Sequence, residues 1–380
     1  MRNAIIGIVI GIVVGVALGT TVIAPRLAPV PSSAHASSQT NAGETGGGPV
    51  TAELPAASAL PTVRWKMAGA YASSLPQLGA PAKRLETNVW RVSGGDIEIK
   101  FHEPGVLVPK QEVFDAVASG AVDAAFSSPS LWGGKIPALN LFSAVPFGPS
   151  AEEYLSWFYF GGGKDQFEDI YHKSGIHSIL CGAMSPEASI WSRKEIKTVE
   201  DFKGITMHIE GPGAKIMDRL GVKTKQLSGG DIFTAFETGA IDAAEFLMPA
   251  IDLELGFHKL ARHYYMPGRR RSATVFDLMI NLDKWESLAV VRQSRIEAVC
   301  GDNVRFGLAE GGALDHSPAL KKMIANGVTL HRWPAEIMNA MNKAWQETAA
   351  REAEADIGFK RAWSSLSAFR KNYAARDESR

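Results

Sequence analysis

Apolar and polar residues alternate over Val63-Arg64-Trp65-Lys66-Met67 and again over Ile97-Glu98-Ile99-Lys100-Phe101, the period-two pattern of half-buried strands. Between them the spacing turns helical over 79–92 and stops at Ser93-Gly94-Gly95, where small residues end a helix. The alternation continues down the chain. Helices are predicted over 109–119 and 154–160, the second ended by Gly161-Gly162-Gly163, with an apolar strand over 176–181. A strand follows over 205–209, then a helix over 214–220 closed by Gly221, and another strand over 274–280. From about Lys284 helical patterns dominate, including 335–352 after the breaker Pro334. Strand–helix units first and helices last indicate an α/β protein with a helical C-terminal tail.

One unit occurs twice. Phe114-Asp-Ala-Val-Ala-Ser-Gly120-Ala-Val-Asp123-Ala-Ala125 reappears as Phe233-Thr-Ala-Phe-Glu-Thr-Gly239-Ala-Ile-Asp242-Ala-Ala244. Each copy reads as the last turns of a helix, a glycine in the left-handed position that closes helices, and a short apolar strand. Asp123 and Asp242 are expected to hold the turn before each strand. The strands run out into Phe126-Ser127-Ser128 and Glu245-Phe246-Leu247. Two such units suggest two lobes with a cleft between them, since ligands of α/β sheets sit beyond the carboxyl ends of the strands.

At 380 residues the chain is long enough for two lobes. Its 40 basic and 40 acidic residues argue against nucleic acid as a partner, which calls for a basic excess. Residues 4–23 are apolar or small and uncharged, about the ~20 residues a membrane-spanning helix needs and longer than the ~7–15 of a cleaved signal core. Segment 1–24 is therefore read as a membrane anchor or signal sequence, and both readings put the remainder outside the cytoplasm. Segment 25–61 is rich in Pro, Ser, Ala, Gly and Thr and reads as a disordered linker. The two cysteines, Cys181 and Cys300, form no CxxC pair. A disulfide between them is compatible with an oxidising compartment, and burial of Cys181 as a free thiol is the other reading.

The chain carries no catalytic signature: no GxSxG elbow, no HExxH, no Cys/His cluster at metal spacing. The triple glycine at 161–163 is not a phosphate loop, because no Lys-Ser/Thr follows it. His258 and His263 are five residues apart, the wrong interval for two ligands on one helix face. No enzyme activity, cofactor or metal is expected.

The run from Val63 to Trp285 resembles the solute-binding proteins of TRAP transporters, the DctP family, and within it the branch that takes 2-oxo acids and other monocarboxylates. The resemblance is carried by Ser93-Gly-Gly-Asp-Ile97, Phe114-Asp-Ala-Val117, Trp132-Gly-Gly-Lys135, Ala144-Val-Pro-Phe-Gly148, Gly161-Gly-Gly163, Trp191-Ser-Arg-Lys-Glu-Ile196, Asp242-Ala-Ala-Glu-Phe246, Leu255-Gly-Phe257 and Tyr264-Tyr-Met-Pro-Gly268. It implies a two-lobed periplasmic binding protein, type II-like, with crossing strands and long C-terminal helices. Lobe I would be 62–185 with a return near 275–312, and lobe II 186–274 with C-terminal helices over 313–375. The function implied is capture of a small organic anion, a carboxylate, between the lobes and delivery to TRAP membrane subunits, with a homodimer through the C-terminal helix. A binding protein feeding a sensor or chemoreceptor, and a periplasmic enzyme on the same fold, are the competing readings.

The site is where this chain departs from the family. The family's lobe-II arginine, which grips the substrate carboxylate bidentately, corresponds to His208, and a single imidazole cannot make that fork. The positions that hold a metal ion in the monocarboxylate branch correspond to Glu187, the main chain of Phe246, and Arg271. A guanidinium at a metal-ligand position brings its own positive charge. Arg271, with Arg270, is therefore expected to bind the anionic ligand directly, with Glu187 and Glu245 as its partners or as readers of an amine or hydroxyl. Trp191 and Ser128 complete the expected ligand-binding set.

Overall fold

The computed structural model describes residues 62–184, 190–227, 229–246, 248–266, 274–313 and 317–377. The anchor and linker assigned above, Glu187, and Arg269-Arg270-Arg271 lie outside the described residues. No described helix is long and apolar enough to cross a membrane.

The chain begins β1 (Val63–Gly69), α1 (Ala80–Ser93), β2 (Ile97–His102), α2 (Val113–Ala118), β3 (Ala124–Ser127), α3 (Ala151–Phe160), α4 (Gly163–His172) and β4 (Ile176–Met184). It continues β5 (Ile190–Ser192), β6 (Thr206–His208), α5 (Gly211–Arg219), β7 (Lys223–Lys225), α6 (Gly229–Glu237), β8 (Ala243–Glu245), α7 (Pro249–Glu254) and β9 (His263–Met266). After β10 (Thr274–Asn281) come α8 (Leu282–Glu286), α9 (Val290–Ala313), α10 (Ser317–Ala325), β11 (Thr329–Arg332), α11 (Ala335–Ala355) and α12 (Ile357–Asp377).

Two sheets divide these strands. One is five-stranded, in the order β2-β1-β3-β10-β4; the other is six-stranded, in the order β11-β9-β5-β8-β6-β7. The chain leaves the first sheet after β4, enters the second at β5, and returns between β9 and β10. β10 runs antiparallel to both β3 and β4, whereas β1 is parallel to its two neighbours. β10 is buried along nearly its whole length, which suits its nearly uninterrupted apolar run.

The duplicated unit is built the same way in both lobes. Gly120 and Gly239 have φ of +77° and +76°, the left-handed conformation that glycine adopts without a Cβ penalty. Val122 N–H donates to Ala116 O at 3.0 Å, and Ile241 N–H to Ala235 O at 3.2 Å. The aspartates act as expected. Asp123 Oδ2 accepts from Lys66 N–H of β1 at 2.6 Å, and Asp242 Oδ2 from Thr206 N–H of β6 at 2.9 Å. Each carboxylate fastens its turn to the start of the neighbouring parallel strand.

Cys181 of β4 and Cys300 of α9 are disulfide-bonded, across 119 residues of chain, and both are fully buried. A second buried anchor lies at β10, where the register shifts between Phe276 and Asp277. Asp277 accepts from Ser127 Oγ at 2.7 Å, Tyr171 OH at 2.6 Å and Ser178 Oγ at 3.0 Å. Burial raises its pKa against these hydrogen bonds.

The C-terminal helices divide between the lobes, which corrects their assignment to lobe II alone. α11 packs on α5 of lobe II, with Lys215 Nζ at 2.5 Å from Glu352 Oε1 and Arg219 paired to Glu347. α12 packs on lobe I. Trp157 Nε1–H donates to Ser365 Oγ at 3.1 Å, and Arg370 donates to Glu153 at 3.1 Å and to Phe147 O at 2.9 Å. The joint is Asp356, whose φ of −132° and ψ of 120° break the helix and whose carboxylate accepts from Phe359 N–H at 2.6 Å, a side-chain cap on the new helix.

Candidate functional site

The carboxyl ends of the parallel strands carry the side chains that matter. In β8, Ala243 and Glu245 share one face of the sheet and Ala244 the other, as alternation requires. Glu245 lies beside the first turn of α5: a Cβ built on Gly213 would stand 3.9 Å from Glu245 Oε2. Any side chain larger than hydrogen at 213 would also meet Ile209 Cδ1 at 2.9 Å, so glycine there keeps the helix close to the strand. Glu210 is the residue before that helix. Burial, and then the charge of Glu210, push the Glu245 carboxyl up to about 7.

His208 ends β6 and pairs with Ala244, so it lies on the opposite face from Glu245. It is buried. Its Nδ1 lies 3.2 Å from Lys225 O and accepts from Leu227 N–H at 3.3 Å, which leaves Nε2 for other partners. Desolvation lowers its pKa, opposed by Glu210 and the Lys225 carbonyl and assisted by Lys110 of lobe I. The ring is thus held toward the neutral form, and it carries no fixed charge for a carboxylate. Phe246 is half-buried and tilted against Phe257 with ring centroids 4.3 Å apart.

Two expected site residues belong to the packing instead. Trp191 is fully buried in the cluster that holds Phe236, Phe257 and Tyr264. Its Nε1–H donates to Asp252 Oδ2 at 2.8 Å. It sits opposite Ala244 in β8, which turns it into this aromatic cluster and away from the face of Glu245. Ser128 is buried too. Its Oγ lies 2.9 Å from Ser143 Oγ and 3.1 Å from Val275 O, within hydrogen-bond reach of both, tying the exit of β3 to the first residues of β10. The sequence reading also passed over Glu210, Tyr71 and Lys110. Lys110 Nζ lies 5.8 Å from the Tyr71 ring centroid and bears electrostatically on His208. The Glu210-Gly-Pro-Gly start of α5, a strand exit followed by a helix opening, was the signal available for the first of them.

Residues 68–355 match the sequence profile of the bacterial extracellular solute-binding proteins, family 7, DctP. The chain belongs to this family. It is 34% identical over 316 residues to a monocarboxylate 2-oxoacid-binding periplasmic protein of a Nostoc species, covering 83% of this chain and 86% of that one. A TRAP transporter solute-binding protein from Bordetella bronchiseptica, a mixed-occupancy dimer with copurified calcium and picolinate, superposes with a TM-score of 0.80 at 34% identity, over 84% of this chain and 95% of that one. One from Pseudoalteromonas atlantica with bound sodium and pyruvate gives 0.77 at 29% identity, over 83% and 95%. The chain is therefore a TRAP-type solute-binding protein of the extracytoplasmic, periplasmic binding-protein class, with an α/β fold of two lobes.

The cations in those two structures set a question of fit. Among the described residues no three His, Cys, Asp or Glu side chains come together to hold a metal ion. Nothing below is routed through a cation.

Glu245 gives a pH prediction. Its folded pKa, about 7, lies above the ordinary carboxylate value of 4.5, so the folded protein holds this proton more tightly than the unfolded chain. The associated stability is complete below about pH 4.5, falls as pH rises toward 7, and is flat above. Glu245→Gln is expected to remove that decline, read as a Tm less dependent on pH between 5 and 7.5 than in the wild type. Parallel curves would refute it.

Proposed function

We propose that this protein captures a small organic anion, a carboxylate, between its lobes in the periplasm and passes it to TRAP membrane subunits. What supports the reading is the arrangement of strand exits. β1 and β3 of one lobe, and β6 and β8 of the other, end in the segments carrying Tyr71, His208, Glu245 and Phe246. The Nostoc relative, with its printed specificity for monocarboxylate 2-oxoacids, supports the ligand class.

Closure follows from differential affinity: a ligand that touches both lobes binds the closed form more tightly and shifts the population toward it. The residues assigned to the anion's charge are Arg271, with Arg270, and Glu187 and Glu245 are assigned as its partners or as readers of an amine or hydroxyl on the ligand. The test is a thermal-shift screen of pyruvate, other 2-oxo acids and simple carboxylates, each with and without Ca²⁺ or Na⁺. A stabilisation of several degrees by at least one monocarboxylate, equal in EDTA, is the expected result. Stabilisation that requires a cation would overturn the role given to Arg271.

A further inference from the structure

Residues 70–79 follow β1 at the carboxyl edge of the first sheet and are held in place from several sides. Ala70 N–H donates to Phe126 O at 3.0 Å, and Ser73 donates to the Glu103 carboxylate through both its N–H, at 3.0 Å, and its hydroxyl. Gly79 is pressed so closely on Ala72 that a Cβ would lie 2.0 Å from its carbonyl oxygen. Tyr71 meets Phe276 of β10 edge-on at 5.8 Å. Tyr71, Leu75 and Leu78 belong to one apolar cluster with Met248 and Ile251, which follow the Glu245-Phe246 exit of the other lobe. The loop lies at the carboxyl ends of β1 and β3, with the Tyr71 ring centroid 5.8 Å from Lys110 Nζ, whose charge bears on His208 of the other lobe.

Within it, Gln77 is anomalous twice over. Its φ is +59°, a conformation unfavourable for any residue with a Cβ. Its side chain is 1% exposed, yet neither Oε1 nor Nε2 has a hydrogen-bond partner. Gln166 differs, since its Nε2 donates to Gly162 O at 3.1 Å and only its oxygen is unmatched. Leucine would fill the space of Gln77 without the bare polar atoms, and glycine would remove the backbone strain. Residues that keep both costs concentrate where a ligand completes the structure.

We infer that the Gln77 amide is a specificity determinant for the bound anion, contacting a ligand group that donates and accepts a hydrogen bond together. A carboxylate only accepts and leaves Oε1 bare, whereas a hydroxyl, or the N–H and C=O edge of an amide, matches both amide atoms. The favoured ligands are then hydroxy- or amido-carboxylates. This inference rests on the carboxylate-capture reading and narrows its ligand class.

The experiment is calorimetric titration of wild type and Gln77→Leu with matched pairs: lactate against propionate, 2-hydroxybutyrate against butyrate, pyroglutamate against cyclopentanecarboxylate. The wild type is expected to prefer the first of each pair by at least about tenfold, the order of one satisfied against one unsatisfied buried group. Gln77→Leu should bind the second of each pair as the wild type does and show no preference, with Tm equal to or above that of the wild type. A variant that keeps the preference, or a wild type without one, overturns the inference and leaves carboxylate capture standing. A wild type that binds neutral hydroxylated ligands but no acid, with Gln77→Leu binding neither, keeps Gln77 and removes the carboxylate reading. Should leucine prevent folding, Gln77→Gly relieves the backbone strain and tests the same loss of preference.

Discussion

Arg271→Ala is expected to abolish measurable binding of the anionic ligand, with a loss of at least about thirtyfold in Kd by calorimetry. Removing one partner of a buried, hydrogen-bonded charge pair costs about 2–5 kcal/mol, which is about thirtyfold to several thousandfold. The choice of Arg271 comes from two absences that coincide in the sequence. In the proposed reading His208 stands in for the family's strand arginine; its Nδ1 is engaged with the backbone of Lys225 and Leu227, so it cannot act as a charged fork. In the same reading the position expected from the resemblance to supply a cation ligand is an arginine, Arg271. One positive group can stand in for both losses, and guanidinium adds the two-pronged geometry a carboxylate favours. Arg271→Lys should keep the charge, lose the fork and fall between wild type and alanine. Unchanged affinity in Arg271→Ala would end this account of the site.

Replacing both cysteines, as Cys181→Ala with Cys300→Ala, should lower stability by about 4–5 kcal/mol, the chain-entropy value for a loop of this length. At about 2 °C per kcal/mol, the fall in Tm is about 10 °C in a calorimetric scan, and a reductant should bring the wild type down by a similar amount. The magnitude is large because the bridge closes 119 residues of chain. A wild type whose Tm is indifferent to reductant would show that the bond is absent or without thermodynamic weight. Ligand affinity of the refolded double variant is expected to stay near wild type, since both sulfurs are buried in the lobe I core.

Much of the scaffold was legible because its signals are local. The glycine that ends each repeated helix and the aspartate that follows it are fixed by backbone conformation and by one hydrogen bond to the adjacent strand. Neither depends on distant packing. The division of the C-terminal helices was not legible. The helical pattern runs on either side of Asp356, and only packing against Trp157 and Glu153 shows that the second helix has left lobe II. The site was half legible for a related reason. Alternation along β5 and β8 says that Trp191 and Glu245 differ in facing, but not which neighbours each face meets. Ser128 reads as a cleft residue until Ser143 and Val275 are seen to occupy its hydroxyl. Gln77 gave no signal in a one-dimensional reading, since its strain and its unmatched amide exist only in the folded loop.

The paired helices at the C-terminus amount to a pair of calipers. One arm, α11, is clamped to α5 by Lys215 and Arg219. The other, α12, is clamped to α3 and its neighbours by Ser365 and Arg370. The pivot is a single non-helical residue, Asp356. The angle between the arms therefore measures the angle between the lobes, so spectroscopic labels on the outer faces of α11 and α12 would register ligand capture from a distance, without touching the residues that bind.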